Sequence, residues 1–240
     1  MYKPKLVLFD FGGTLMIDGE FSLHSGMEKL RLAAENPDAA TTEAMCGMFR
    51  EMKNFADKIN TNDSNCIMET PLSSIFRNIF ACSGLQYAIS LTECEILFDR
   101  SNSTRTATPY IAELLTALHD AGIRTGVISN TVLSGEAMAA AVSEHIPNAG
   151  MEFIITSADY IFCKPSPYMF LAAAKTAGVE PGECWYCGDG LIPDVGGAHN
   201  SGMLPVLYDR KAVIPFECGE CGGKEYYIIN SWTELIKRLV

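Results

Sequence analysis

Asp10, the pair Ser129-Asn130, Lys164, and the pair Asp189 and Asp194 are the residues in this sequence whose types and order suggest chemistry. Together they supply three carboxylates, a hydroxyl and a single ammonium group. Carboxylates gathered in one place repel each other unless a cation sits among them. Mg²⁺ is the hard cation suited to all-oxygen ligands. A lysine in the same place can neutralise an anionic substrate. Taken singly, each of these residues also reads as a turn former or a helix cap. The set reads differently because its members fall at the ends of successive strands.

Those strands follow from the apolar pattern. Lys5-Leu-Val-Leu-Phe-Asp10 is a short apolar run that ends in a carboxylate before Gly12-Gly13, as expected of a strand buried on both faces. From Thr108 the chain alternates strands with helices. Thr108 is placed to cap a helix with Pro109 in its first turn. Ile111, Leu114, Leu115 and Leu118 then share one face, and Gly122 ends it. Strands are expected at Ile123–Ser129, Glu152–Thr156, Cys184–Cys187, Met203–Leu207 and Tyr226–Ile229. Helices are expected from Ser134, from Ser166-Pro167 to Gly178, over Ile192–Ser201, and from Ser231. This alternation implies a parallel sheet covered by helices on both faces. Loops at the carboxyl ends of such strands gather at one edge, where ligands bind.

The stretch between these parts has helical periodicity over Phe21–Glu35, Thr42–Asn60, Pro71–Cys82 and Leu91–Asp99, with no convincing buried strand. The expected organisation is therefore an α/β core formed by residues 1–17 and 104–240, with an all-helical insert over 18–103.

Composition narrows the function. With 18 Lys and Arg against 29 Asp and Glu, the net charge of -11 disfavours nucleic acid and anionic membrane as partners. No apolar run approaches the roughly 18 residues of a membrane span, and Asp10 breaks the apolar stretch near the start too early for a secretory signal. Nine scattered cysteines in such a chain fit free thiols in a reducing cytoplasm. Cys184-x-x-Cys187 lies on an expected strand, where an odd offset turns the two thiols to opposite faces. Cys218-Gly-Glu-Cys221, read as a loop, is the alternative metal-binding candidate.

The ordered segments Asp10-Phe-Gly-Gly-Thr14-Leu, Val127-Ile-Ser129-Asn130-Thr, Lys164-Pro-Ser-Pro and Gly188-Asp189-Gly-Leu-Ile-Pro-Asp194 resemble the four motifs of the haloacid dehalogenase-like hydrolase superfamily. The resemblance implies a Rossmann-like parallel sheet, with the insert as a C1-type cap over the site. It also implies roles. Asp10 would be the nucleophile and form an aspartyl-phosphate. Asp10, Asp189 and the Gly12 carbonyl would hold Mg²⁺. Asp194 would orient the metal's waters and Lys164, while Ser129 and the Asn130 amide would bind phosphoryl oxygens. Lys164 would bind substrate and offset developing charge. The implied activity is a Mg²⁺-dependent phosphatase acting on a small phosphorylated metabolite.

One position departs from the pattern. Phosphatases of the superfamily usually carry a second Asp two residues after the nucleophile, which protonates the leaving alcohol and later activates water. Here that position is Gly12. General acid–base help is typically worth about 10²–10⁴-fold. Asp18 and Glu20, just after the first strand, are candidate substitutes. The alternatives are a phosphonatase-like C–P hydrolase, with Lys29, Lys53 or Lys58 as the cap lysine, and a pseudoenzyme that binds phosphate and Mg²⁺ without turnover.

Overall fold

The computed structural model of the chain describes residues 2–60 and 68–239. It opens with β1 (Leu6–Phe9), buried along its whole length, followed by β2 (Met16–Phe21). Four helices come next: α1 (Leu23–Ala33), α2 (Thr42–Asn60), α3 (Leu72–Ser83) and α4 (Leu91–Asn102). Then β3 (Ser103–Ala107), α5 (Ile111–Asp120), β4 (Arg124–Ser129), α6 (Gly135–His145) and β5 (Ile154–Thr156) lead to the short α7 (Ser157–Tyr160). After α8 (Pro167–Ala177) and β6 (Cys184–Gly188), a π-helical turn (Leu191–Gly196) runs into α9 (Gly197–Asn200). The chain closes with β7 (Leu204–Tyr208), β8 (Phe216–Cys221), β9 (Lys224–Ile229) and α10 (Trp232–Leu239).

The main sheet has the order β5-β4-β1-β6-β7-β9-β8. Every pairing in it is parallel except β8 with β9. From β1 the chain first builds outward through β4 to β5, then returns to place β6 on the other side of β1. That reversal opens a crevice at the carboxyl ends of β1, β4 and β6. Alternation along the central strands divides the core between the two faces. Val7, Phe9, Trp185 and Cys187 pack on one side with Trp232, and Leu6, Leu8, Cys184 and Tyr186 on the other with Phe170. Each large side chain removed from water in this way contributes about 1.5–3 kcal/mol. The two thiols of Cys184-x-x-Cys187 thus lie on opposite faces, as the odd offset requires.

Local signals explain several boundaries. Ser134 accepts a hydrogen bond from the Ala137 amide to start α6, and Gly178, with φ of 66°, ends α8. Three expectations need correction. Thr108 does not cap α5, because Tyr110 occupies the cap position in a left-handed conformation. The Thr108 hydroxyl instead donates to the Thr14 carbonyl and accepts from Trp232 Nε1, which ties the first loop to α10. Residues 216–221 are not a loop: β8 pairs with β9 across Gly222-Gly223, both at positive φ. Cys218 and Cys221 are therefore three apart on a strand and point to opposite faces. Finally, β2 and β3 form a separate antiparallel ribbon that flanks the four helices. Its residues are largely solvent-facing, so it lacks the apolar run that marks a buried strand.

The helices between β2 and β3 are fastened to the sheet part at several points. The buried carboxylate of Glu95, on α4, accepts from the Ser134 hydroxyl and amide at the start of α6. Arg100 pairs with Glu144 at 2.7 Å. The Leu72 amide donates to the Val132 carbonyl, and Glu69 accepts from the Ser157 hydroxyl at 3.0 Å.

Candidate active site

The crevice at the strand ends brings the side chains of Asp10, Lys164, Asp189 and Asp194 together. Asp10 follows β1 directly, its amide donating to the Cys187 carbonyl of β6 at 2.8 Å. Lys164 reaches it from the loop before α8. The Lys164 ammonium is buried and donates to Asp10 Oδ1 at 2.7 Å, to Asp194 Oδ1 at 2.6 Å and to the Tyr186 hydroxyl at 2.7 Å. All three of its hydrogens are thereby used. Asp194 is fixed from the other side by the Gly190 amide, which donates to its Oδ2 at 2.8 Å. The sequence folds this way because Gly188 has no side chain: a Cβ there would lie 2.3 Å from the Asp194 carboxyl carbon.

Asp189, at the end of β6, completes an acidic cluster. Ligand oxygens of Asp10, Asp189 and Asp194 all lie within 4.8 Å of one another. Gly13, with φ of 71°, turns the first loop against this group. A Cβ on it would fall 2.0 Å from Asp189 Oδ2, so both the turn and the close approach demand glycine. Gly12 sits on the same loop and bridges to Met16. Ser129 ends β4 and is buried. The Asn130 side chain is committed to the Lys164 backbone, donating from Nδ2 to its carbonyl and accepting its amide hydrogen at Oδ1. It holds the lysine's main chain in place.

The electrostatics follow from burial and crowding. Burial raises the Asp10 carboxyl to about 6, with Asp194 adding to the rise and Lys164 opposing it. Burial likewise raises Asp189, and the charge of Asp194 raises it further. Burial works against the Lys164 ammonium, but Asp10 and Asp194 outweigh it and hold its pKa above the ordinary lysine value. Three carboxylates share one buried ammonium, Arg210 acts on Asp189 from the adjoining cavity, and the atoms the cluster offers a cation are all carboxylate oxygens. That donor chemistry fits a hard divalent cation.

Tyr186 belongs to this network although sequence reasoning passed over it. Besides accepting from Lys164, its hydroxyl lies 3.0 Å from Asp194 Oδ1 and 3.1 Å from the Ile128 carbonyl. The available signal was a tyrosine inside a fully buried strand, whose hydroxyl must find partners there. Of the lysines in the helical insert, Lys53 pairs with Asp57 on its own helix. A polar cavity of about 330 Å³ opens beside the cluster, lined by Gly13, Asp189, Leu191, Tyr208, Arg210 and Lys211 among others. A second, apolar cavity of about 400 Å³ lies against Phe55 and Ile75 and includes none of the motif residues.

Comparison with known proteins identifies the family and the fold. A family model described as haloacid dehalogenase-like hydrolase matches residues 4–202. YhcW of Bacillus subtilis, which bears a phosphatase name, is 30% identical over 118 residues, covering 48% of this chain and 50% of that protein. The chain thus spans half the length of that relative. Among solved structures, a phosphatase of this superfamily from Thermococcus onnurineus superposes with a TM-score of 0.57 at 21% identity, covering 98% of this chain and 97% of its own. A 2-haloacid dehalogenase from Pseudomonas syringae gives 0.59 at 18% identity, covering 98% of each. At such identities the superpositions speak for the fold alone.

Proposed function

Because the chain belongs to the haloacid dehalogenase-like hydrolase family, we propose that it is a Mg²⁺-dependent phosphatase of a small phosphorylated metabolite, working through an aspartyl-phosphate on Asp10. The observation that carries this reading is the Lys164 ammonium, clamped between Asp10 and Asp194 with Asp189 completing an all-oxygen cluster. The dehalogenase branch of the superfamily needs no Mg²⁺, whereas Asp189 beside Asp10 and Asp194 adds a carboxylate that a cation would use. A phosphoryl group needs a cation that these carboxylates would hold.

In this reading Asp10, Asp189 and the Gly12 carbonyl hold Mg²⁺, which when bound supplies positive charge to the phosphoryl oxygens. The chain's own groups do the remainder. Asp10 has Oδ1 engaged with Lys164, which leaves Oδ2 to attack phosphorus. Lys164 screens the approach of two anions and offsets charge as the new bond forms. Ser129 and the Asn130 amide bind phosphoryl oxygens at the end of β4. Asp194, held by Gly190 and Tyr186, keeps the ammonium aimed at Asp10. Water then cleaves the aspartyl-phosphate and restores the carboxylate.

The test is phosphate release from p-nitrophenyl phosphate. Activity with Mg²⁺, stopped by EDTA and restored by added Mg²⁺, supports the reading. Turnover indifferent to chelation contradicts it, and no turnover with any phosphate ester points to the pseudoenzyme alternative.

A further inference from the structure

Attack by Asp10 expels an alkoxide from phosphorus, and an alkoxide leaves slowly without a proton. Asp10 and Asp194 are tied to Lys164, and the reading above assigns Asp189 to the metal. The ribbon that follows the Asp10 loop offers another carboxylate. Gly12 bridges to Met16 at the start of β2, which folds the strand back so that Asp18 faces Gly12. A Cβ built on Gly12 would stand 3.2 Å from Asp18 Oδ2. The space a side chain at position 12 would enter is thus bordered by a carboxylate oxygen from another element.

Asp18 is held there by its other oxygen. Arg105 is its partner in the β2–β3 ladder and donates from Nε to Asp18 Oδ1 at 3.2 Å. The same guanidinium is anchored to buried Asp99 at 2.6 Å and lies over the Phe11 ring, 5.5 Å from its centre. One oxygen of Asp18 is therefore fixed to a braced arginine, while Oδ2 looks onto the loop that carries Asp10. The side chain is 59% exposed, so its free oxygen is open to the crevice and to solvent. Glu20 lies beyond Asp18 in the stretch where the ladder loses its register, and its amide donates to Thr104 Oγ1.

We infer that Asp18, on the ribbon strand, is the proton donor and acceptor of the reaction, in place of the side chain that Gly12 lacks. The inference rests on the phosphatase reading above and deepens it. In the first half-reaction an Asp10 oxygen bonds to phosphorus and the P–O bond to the leaving group breaks. The proton on the Asp18 carboxyl passes to the departing oxygen, giving a neutral alcohol and an Asp18 carboxylate. In the second, water bonds to phosphorus, Asp18 takes its proton, and the P–O bond to Asp10 breaks. Phosphate leaves with both carboxyl groups as they began.

The experiment compares kcat/KM for an alkyl ester, β-glycerophosphate, with that for an aryl ester, p-nitrophenyl phosphate, in the presence of Mg²⁺. Aryl leaving groups need little protonation. Asp18→Asn should therefore cost about 10²–10⁴-fold on the alkyl ester and less than about tenfold on the aryl ester. The ratio of the two losses does not depend on the folded fraction, so partial unfolding cannot imitate the result. Asp18→Ala should recover alkyl-ester cleavage at least about tenfold when Gly12→Asp is added, part of the same acid–base contribution. Equal losses on both esters, or an Asp18→Asn enzyme that cleaves the alkyl ester as wild type does, would overturn the role of Asp18 and leave the phosphatase reading intact. Wild-type protein that cleaves neither ester would remove the phosphatase reading and the role of Asp18 with it.

Discussion

At the scale of single residues the site depends on how one buried ammonium is shared. Lys164 has three hydrogens and three acceptors: Asp10, Asp194 and Tyr186. Tyr186→Phe removes one acceptor and leaves a buried donor short of a partner. Such a loss costs about 1–3 kcal/mol of stability, to be read from urea unfolding, and should lower turnover as the ammonium loses its third anchor. Unchanged stability and turnover in that variant would mean the hydroxyl is incidental. Asp10 and Asp189 were legible because each closes an apolar strand, and Lys164 and Asp194 because they complete the ordered motifs that the sequence resembles. Tyr186 was not, since within an apolar strand a tyrosine looks like any other large core residue. The closeness of Asp18 to Gly12 depends on how the ribbon folds back, and no spacing rule encodes that.

Among the elements, the join between α4 and α6 is the most informative. Glu95 is buried, and its carboxylate bonds to the Ser134 hydroxyl that also caps α6. Burial raises its pKa, with the Ser134 hydrogen bonds opposing the rise. An acid raised in the native state holds its proton more tightly there than in the unfolded chain, where its value is about 4.3. Across the window from that value up to the raised native one, the unfolded state binds fewer protons. Its contribution to stability therefore falls as pH rises. Glu95→Gln should remove this contribution, so thermal midpoints measured from about pH 4.5 upward should fall less, or rise more, than those of wild type. Parallel pH profiles for the two proteins would show that Glu95 is not linked to folding. The core elements were readable from strand–helix alternation, and the four insert helices from their periodicity. The β2–β3 ribbon and β8 were not. Asp18-Gly-Glu20 is exposed throughout and Ser103-Thr-Arg-Thr exposes alternate residues, so neither has the apolar residues that announce a strand.

Across the whole molecule, a chain with net charge of -11 gathers Asp10, Asp189 and Asp194 at the sheet edge where strand order reverses. Among the described residues no helix is long and apolar enough to cross a membrane. In the proposed mechanism the cation, Lys164 and the strand-end amides together offset a net negative field that repels phosphate esters. That mechanism requires phosphorus to bond covalently to Asp10 during turnover. The most direct measurement is to quench the enzyme in acid during turnover of a phosphate ester, reduce with borohydride, and map the products by peptide mass spectrometry. An acyl phosphate is reduced at its carbonyl, so Asp10 should appear as homoserine in the wild type, and no homoserine should form in Asp10→Asn, which should also have lost turnover with its fold intact. Steady turnover with Asp10 unmodified at every quench time, or an Asp10→Asn protein that still hydrolyses the ester, would contradict the account.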